Sequence, residues 1–312
     1  MSYFMSLNPL SLFRAMPGSI AQGMIWGVMA LGVYITFRLL DFADLTVDGS
    51  IATGAAVSVM LIRAGVSPIA TLPIAFLAGA LAGMVTGLLN TALGIPGILA
   101  SILTQISLYS INLNIMGKAN QPVSVDNYPL VVSLRYVTDG SVSRLLFFLG
   151  MIVFLLALIA VMYWYFGTEQ GHAIRATGCN GNMARAQGIN TNFIKVLALM
   201  ISNGLVGLCG ALYGQFQGAS DVNMGRGAIG LAAVIIGEVL FGKFASKRKL
   251  AFAFTLASVI LGAVIYYMVY QFVLWLKMPS EDMKLFSAIV VAIFLAIPYL
   301  KEKRTLRKGA SK

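Results

Sequence analysis

Of 312 residues, 59% are hydrophobic and 11% charged, with 32 glycines besides, and the mean hydropathy is +0.86. A soluble domain carries about 25% charged residues, so this chain cannot clothe a water-facing surface. That excludes a soluble enzyme, a disulfide-built secreted domain and a disordered segment. The net charge of +11 does not point to nucleic acid, because the cations lie between apolar runs and in a tail rather than in an aromatic-interleaved patch.

Taken in order, the first cation is Arg14, followed by the uncharged run Ala15–Phe37. That run is too long for a cleavable leader and reads as span 1. Residues 41–50, Asp-Phe-Ala-Asp-Leu-Thr-Val-Asp-Gly-Ser, are a polar island. The apolar run behind it, Ile51–Ile62, has 12 residues. At about 1.5 Å per residue it cannot cross about 30 Å of hydrocarbon. Span 2, Leu45–Ile62, therefore draws part of the island into the membrane. Ala64 to Gly117 holds no charge, and Gly94-Ile95-Pro96-Gly97 divides it into spans 3 and 4. Span 5 is Leu145–Phe166 and span 6 is Val196–Ser220. Span 7, Ala228–Phe241, is short and follows the glycine-rich Asn223–Gly230. Span 8 is Leu250–Leu276 and span 9 is Leu285–Leu300. The expected fold is all-α: one transmembrane domain over 1–312, a polytopic bundle of about nine helices, some of them broken. Strand-like alternation is missing, which speaks against a β-barrel.

Lysine and arginine set the orientation. The basic tail 301–312 is expected in the cytoplasm, against anionic lipid. Counting back, Lys243, Lys247, Arg248 and Lys249, then Arg175, Arg185 and Lys195, then Arg38 fall on the same side. That side holds 14 of the 22 cations, and it puts the N-terminus outside. Trp164, Trp275 and Tyr299 sit at span ends, as an aromatic belt does.

Catalytic and metal motifs are missing. One histidine with Cys179 and Cys209 makes no metal site. Gly237 to Lys243 has the GxxxxGK spacing of a nucleotide loop, but Phe244 replaces the Ser/Thr and no strand precedes it. Any ATP is expected on a separate subunit. Gly79, Gly83 and Gly87, and likewise Gly210, Gly214 and Gly218, form stripes for close helix approach within the chain, and they open the reading of an inverted repeat. Gln105, Asn112, Asn114 and Asn203 are candidate helix–helix hydrogen-bonders. Glu238 is expected to pair with Lys243 or the 167–192 loop. Asp44 and Asp48 lie four apart, on one face of a helix. They, or Thr46, cap helix amides or line a solute path.

The loop 167–192 is the most informative segment. His172–Thr177 is expected to extend span 5 until Gly178 stops it. Asn180 or Asn182 caps a short helix, Met183–Gln187, which Gly188 ends. A hinged, arginine-bearing helix between two spans is a lever for a soluble partner, or else an ordinary capped loop.

Here the residues resemble a family. Gly171-x-x-Ile174-Arg175-Ala176-x-Gly178-x-Asn180, with Ala184, Arg185 and Gly188-Ile189, resembles the cytoplasmic coupling loop of ABC importer permeases of the branched-chain amino acid, ribose and nucleoside class. Asp44-Leu45-Thr46-Val47-Asp48-Gly49-Ser50 is similar to a segment of the sugar members, from which Asp48 departs. Ile236-Gly237-Glu238 with Phe241-Gly242 resembles a late glycine-bearing segment of the class. The matches reach from span 1 to span 8 and look nearest to an amino-acid branch, aromatic amino acids included. The resemblance implies a permease in the bacterial plasma membrane, with no cofactor and no chemistry of its own. Its coupling residues would be the nine just named from Gly171 to Gly188, seated on a dimeric ATPase. An extracytoplasmic binding protein would deliver the solute, and a second permease copy, identical rather than merely related, would complete the path. The pathway candidates are Asp44, Thr46, Asp48, Ser50, Gln105 and Asn223. The rival readings are an ion-coupled secondary transporter, a permease for a sugar or nucleoside, and a structural or signalling membrane protein.

Overall fold

The computed structural model describes residues 9–138, 141–225, 227–245, 250–276 and five helical positions between 285 and 296. In chain order the helices are α1 (Pro9–Tyr34, continued by a π-helical turn, Ile35–Leu39), α2 (Val47–Arg63), α3 (Pro68–Thr91), α4 (Gly97–Met116), α5 (Leu134–Thr138), α6 (Ser141–Tyr165), α7 (Glu169–Cys179), α8 (Gly181–Ala186), α9 (Thr191–Gln217), α10 (Gly227–Ala245) and α11 (Ala251–Trp275). Six of them, α1, α3, α4, α6, α9 and α11, are long and apolar enough to cross a bilayer. They correspond to spans 1, 3, 4, 5, 6 and 8.

The two short spans are short in the structure too. Helix α2 has 17 residues, about 26 Å at the usual rise. Helix α10 begins only at Gly227, after an irregular stretch. Most of span 9 and the whole tail 301–312 lie outside the described residues. One feature was not expected from the sequence: β1 (Asn120–Pro122) pairs antiparallel with β2 (Ala219–Asp221), Asn120 opposite Asp221. It ties the loop after α4 to the loop after α9. Three residues per strand are too few to show alternation in a sequence.

Helices α1 and α9 form the centre, while α4 and α6 present most of their length outward. Glycine lets α9 hold its neighbours at backbone contact. A Cβ at Gly79 would run into the Asn203 carbonyl, at Gly83 into that of Leu199, and at Gly87 into Val196. On the other side, Gly54 meets the backbone of Gly207, and Gly210 meets the Ile51 carbonyl. Both stripes thus serve packing within the chain, as small residues do in membrane helices. Gly218 is the exception: with φ +71° it is the left-handed cap of α9 rather than a member of its stripe.

Gly83→Ala is expected to destabilise the detergent-solubilised protein by about 1–3 kcal/mol, the usual cost of overpacking. Gly150→Ala, where an added Cβ meets nothing within 4 Å, is the matched control and should leave the melting temperature unchanged.

Candidate functional site

The polar island begins where α1 loosens. Leu40 N–H donates to the Ile35 carbonyl and Phe42 N–H to the Thr36 carbonyl, both at 2.9 Å. These wide bonds unwind the helix, and Asp41, at φ 54°, turns the chain, a conformation Asp tolerates better than most residues. Backbone released at this depth needs partners from the protein. Asp44 supplies one: its Oδ1 accepts the Thr46 N–H at 2.9 Å. Its Oδ2 accepts from Asn203 Nδ2 at 2.7 Å, and Asn203 Oδ1 accepts from Ser50 Oγ at 2.7 Å. The hydroxyls of Thr46 and Thr86 lie 2.7 Å apart, and Thr86 reaches Thr104 at 2.9 Å. Asp44, Thr46 and Ser50 are therefore held in a buried network that joins α2, α3, α4 and α9.

Asp48 does something different. It stands in the first turn of α2, and its Oδ1 accepts the N–H of Gly227, the first residue of α10. One carboxylate thus serves the amino ends of two helices, where the macrodipoles favour negative charge. The fit is close, since a Cβ at Gly225 would meet the Asp48 backbone. The capping expectation holds for Asp48 in an altered form, because the helix it caps is not its own. Thr46 makes no side-chain cap bond.

Beside Asp48 opens a cavity of about 690 Å³, lined by Asp48, Gln105, Tyr109, Ser110, Asn112 and Asn223 among others. Of the six pathway candidates, it brings together Asp48, Gln105 and Asn223. Asp44, Thr46 and Ser50 are absent from its lining. Tyr109 and Ser110 are newcomers, and Asn112, expected as a helix–helix hydrogen-bonder, lines it too. Gln105, Tyr109 and Asn112 follow i, i+4, i+7 spacing, so a polar stripe on α4 was there to be read beneath the helix's apolar mean. Asn112 also donates to the Gly49 carbonyl at 3.5 Å. Asn114 is exposed and bonds back to Ser110.

The loop 167–192 folds as two helices. Helix α7 is separate from α6, the break falling at Gly167 and Thr168. Contrary to expectation, Gly178 does not stop α7, which runs to Cys179. Gly178 is small because the Leu39 carbonyl and Leu40 Cα pass directly over it. Gly171 likewise packs on Phe166, and Ile174 is fully buried. Ala176 is half-buried. Arg175 turns inward and stacks over the Phe252 ring, 4.2 Å from its centroid. Helix α7 is thus seated on the π turn that ends α1.

Helix α8 is capped as expected: Asn180 Oδ1 accepts from the N–H groups of Asn182 (3.1 Å) and Met183 (3.0 Å). Gly188 is left-handed at φ 86°. Ala184 is buried, whereas Met183 is 64% exposed. Arg185 is exposed and donates to Thr191 Oγ1 at 3.1 Å. Met183 was not singled out from sequence, since an apolar residue in an apolar chain carries no signal.

Glu238 makes a two-pronged ion pair with Arg38 rather than with the 167–192 loop; the side chain of Lys243, the other expected partner, lies outside the described residues. The pair joins the end of α1 to α10. Gly237 to Lys243 is helical, so the nucleotide-loop spacing cradles nothing. A Cβ at Gly237 would strike the Ser258 carbonyl of α11.

Asn203→Ala would leave Asp44 and Ser50 without their shared partner. A loss of about 2–4 kcal/mol is expected, against about 1 kcal/mol for Ser50→Ala, read as melting temperatures in detergent.

Comparison with known proteins places this geometry. A family model described as branched-chain amino acid transport system / permease component matches residues 16–298. A tyrosine transport system permease protein of Clostridioides difficile (strain R20291) is 39% identical over 279 residues, 89% of each chain. A nucleoside ABC transporter permease protein of Lactococcus lactis subsp. cremoris is 28% identical, over 73% of each chain. A probable branched-chain amino acid transport permease protein of Methanocaldococcus jannaschii is 23% identical, over 66% of this chain and 67% of the relative. No solved structure matches the chain.

Proposed function

We infer the finer role of this chain from one premise: the chain belongs to the branched-chain amino acid transport system permease family. It is the membrane-spanning subunit of an ABC importer, a transport component rather than an enzyme. Such a permease works with an ATP-binding subunit and a substrate-binding protein.

The solute we assign is an amino acid, tyrosine and its aromatic relatives included. The observation that carries this is the cavity beside Asp48. Its carboxylate suits an ammonium group, the amides of Gln105 and Asn223 suit a carboxylate, and the Tyr109 ring suits a planar side chain. The printed role of the Clostridioides relative agrees. The lysine and arginine bias supports a cytoplasmic C-terminus in the bacterial plasma membrane. A second identical copy packs on α4, whose outward face carries Ser107, Ser110 and Asn114. Polar groups on a span are tolerated against protein or a watery path, not against lipid.

Coupling follows the contacts. The ATPase dimer seats on α8 at Met183 and Arg185. Motion passes through α7, whose Gly178 rests on Leu39 and Leu40, into the island 41–46. That island leads directly to Asp48 and the junction of α2 with α10. An ion-coupled transporter would have no use for an exposed capped helix hung beneath its spans.

Transport by the complete transporter in proteoliposomes tests this. Met183→Glu is expected to cut ATP-driven tyrosine uptake about tenfold or more, since an unpaired charge at a packed interface costs about 2–5 kcal/mol, while the permease still inserts. Asp48→Asn is expected to lower uptake with the ATPase subunit still bound. Full uptake in both variants contradicts the reading, as does uptake driven by an ion gradient without ATP.

A further inference from the structure

A second cavity, of about 490 Å³, opens where α6, α7 and α11 meet, and its walls include Trp164, Phe166, His172, Arg175 and Phe252. It lies at the end of a span, since α6 crosses from Val142 to Tyr165. Its lining changes character from one side to the other. Toward the span it is aromatic, with Trp164 70% exposed and Tyr163 41% exposed. Toward α7 it is polar and basic. Thr168, His172 and Arg175 follow i, i+4, i+7 spacing and so share one face of α7.

The electrostatics are unbalanced. Among the described residues no carboxylate lines this cavity, and neither ion pair involves Arg175. Glu169 lies about a quarter-turn off the stripe. Arg175 Nε is buried and finds no hydrogen-bond partner among the described residues. The rings of Phe252 and Phe166 meet the guanidinium face, but a ring face takes none of its N–H bonds. Thr168, the residue ahead of α7, gives it no side-chain cap, so the first amides of the helix add donors to the same side.

We propose that this cavity binds the phosphate headgroup of an anionic phospholipid of the cytoplasmic leaflet, with an acyl chain laid along Trp164 and Tyr163. Arg175 and His172 hold the phosphate. The leaflet assignment rests on the orientation given above. The class of ligand follows from the pairing of an unmatched cation with exposed aromatic surface at a span end: the first selects a phosphate, the second a hydrocarbon tail. The site would fasten α7 to α6 and α11, so lipid charge would stiffen the lever that the ATPase moves.

The test uses the complete transporter, purified in mild detergent and stripped of lipid. Phosphatidylglycerol, phosphatidylcholine and inorganic phosphate are added separately, and melting temperature and lipid adducts in native mass spectra are recorded. Phosphatidylglycerol alone is expected to raise the melting temperature and to remain bound. Arg175→Gln is expected to weaken its retention about tenfold, the scale of one charge-assisted contact. Trp164→Ala, at an exposed ring that the fold does not need, is expected to weaken it too and keeps the test open if Arg175→Gln fails to fold. Equal retention of phosphatidylcholine would overturn the proposal, because charge would not be selected. Stabilisation by inorganic phosphate alone would overturn it in favour of a free-anion site. No retention by the complete transporter would overturn it in favour of a cavity covered by the ATPase subunit.

Discussion

Hydrocarbon offers no hydrogen-bond partner, so every break in a spanning helix must be closed by the protein itself. This chain breaks twice at depth, after α1 and before α10. Both breaks are closed by carboxylates from one ten-residue island. Asp44 accepts the Thr46 amide and the Asn203 side chain. Asp48 accepts the Gly227 amide. Buried charge of this kind is costly unless fully bonded, and it is worth that cost only where a gap in the spans is useful. The cavity lined by Asp48, Gln105 and Asn223 is that gap.

Glycine on α9 makes the arrangement rigid where it has to be. Backbone contact with α2 and α3 on two sides of α9 leaves little room for sliding, because packed interiors resist small displacements. The mobile possibilities are then confined to the ends. The π turn of α1 carries α7 above Leu39, and Arg38 holds Glu238 of α10. Helix α7 rests on that turn, and Arg185 of α8 donates to Thr191 at the start of α9. π-helical turns are often found at functional positions, and this one lies between α7 and the polar island.

Much of this was legible beforehand, for physical reasons. The six long spans follow from uninterrupted apolar length. The short span 2 followed from arithmetic, since 12 apolar residues cannot cross the bilayer and Asp44 or Asp48 had to enter it. Asn180 and Gly188 were readable because capping is local chemistry. Gly178 was misread because a glycine near a helix end looks like a stop whether it serves a turn or a close approach. Only the Leu39 carbonyl above it decides. The Arg38 partner of Glu238 was missed because the two are distant in sequence. Tyr109 was hidden by the apolar average of α4, although its spacing with Gln105 and Asn112 was visible.

The break before α10 borders the cavity beside Asp48, so it is expected at hydrocarbon depth yet facing water. Paramagnetic accessibility measures both quantities at one position. Asn223→Cys is prepared with Cys179 and Cys209 replaced by serine and alanine, spin-labelled and placed in the complete transporter in lipid bilayers. Collisions with a water-soluble nickel reagent are then compared with collisions with oxygen. Strong access to nickel is expected at a site flanked, along α4 and α10, by positions of hydrocarbon depth. Access to oxygen with nickel excluded, or flanking positions at headgroup level, would contradict it.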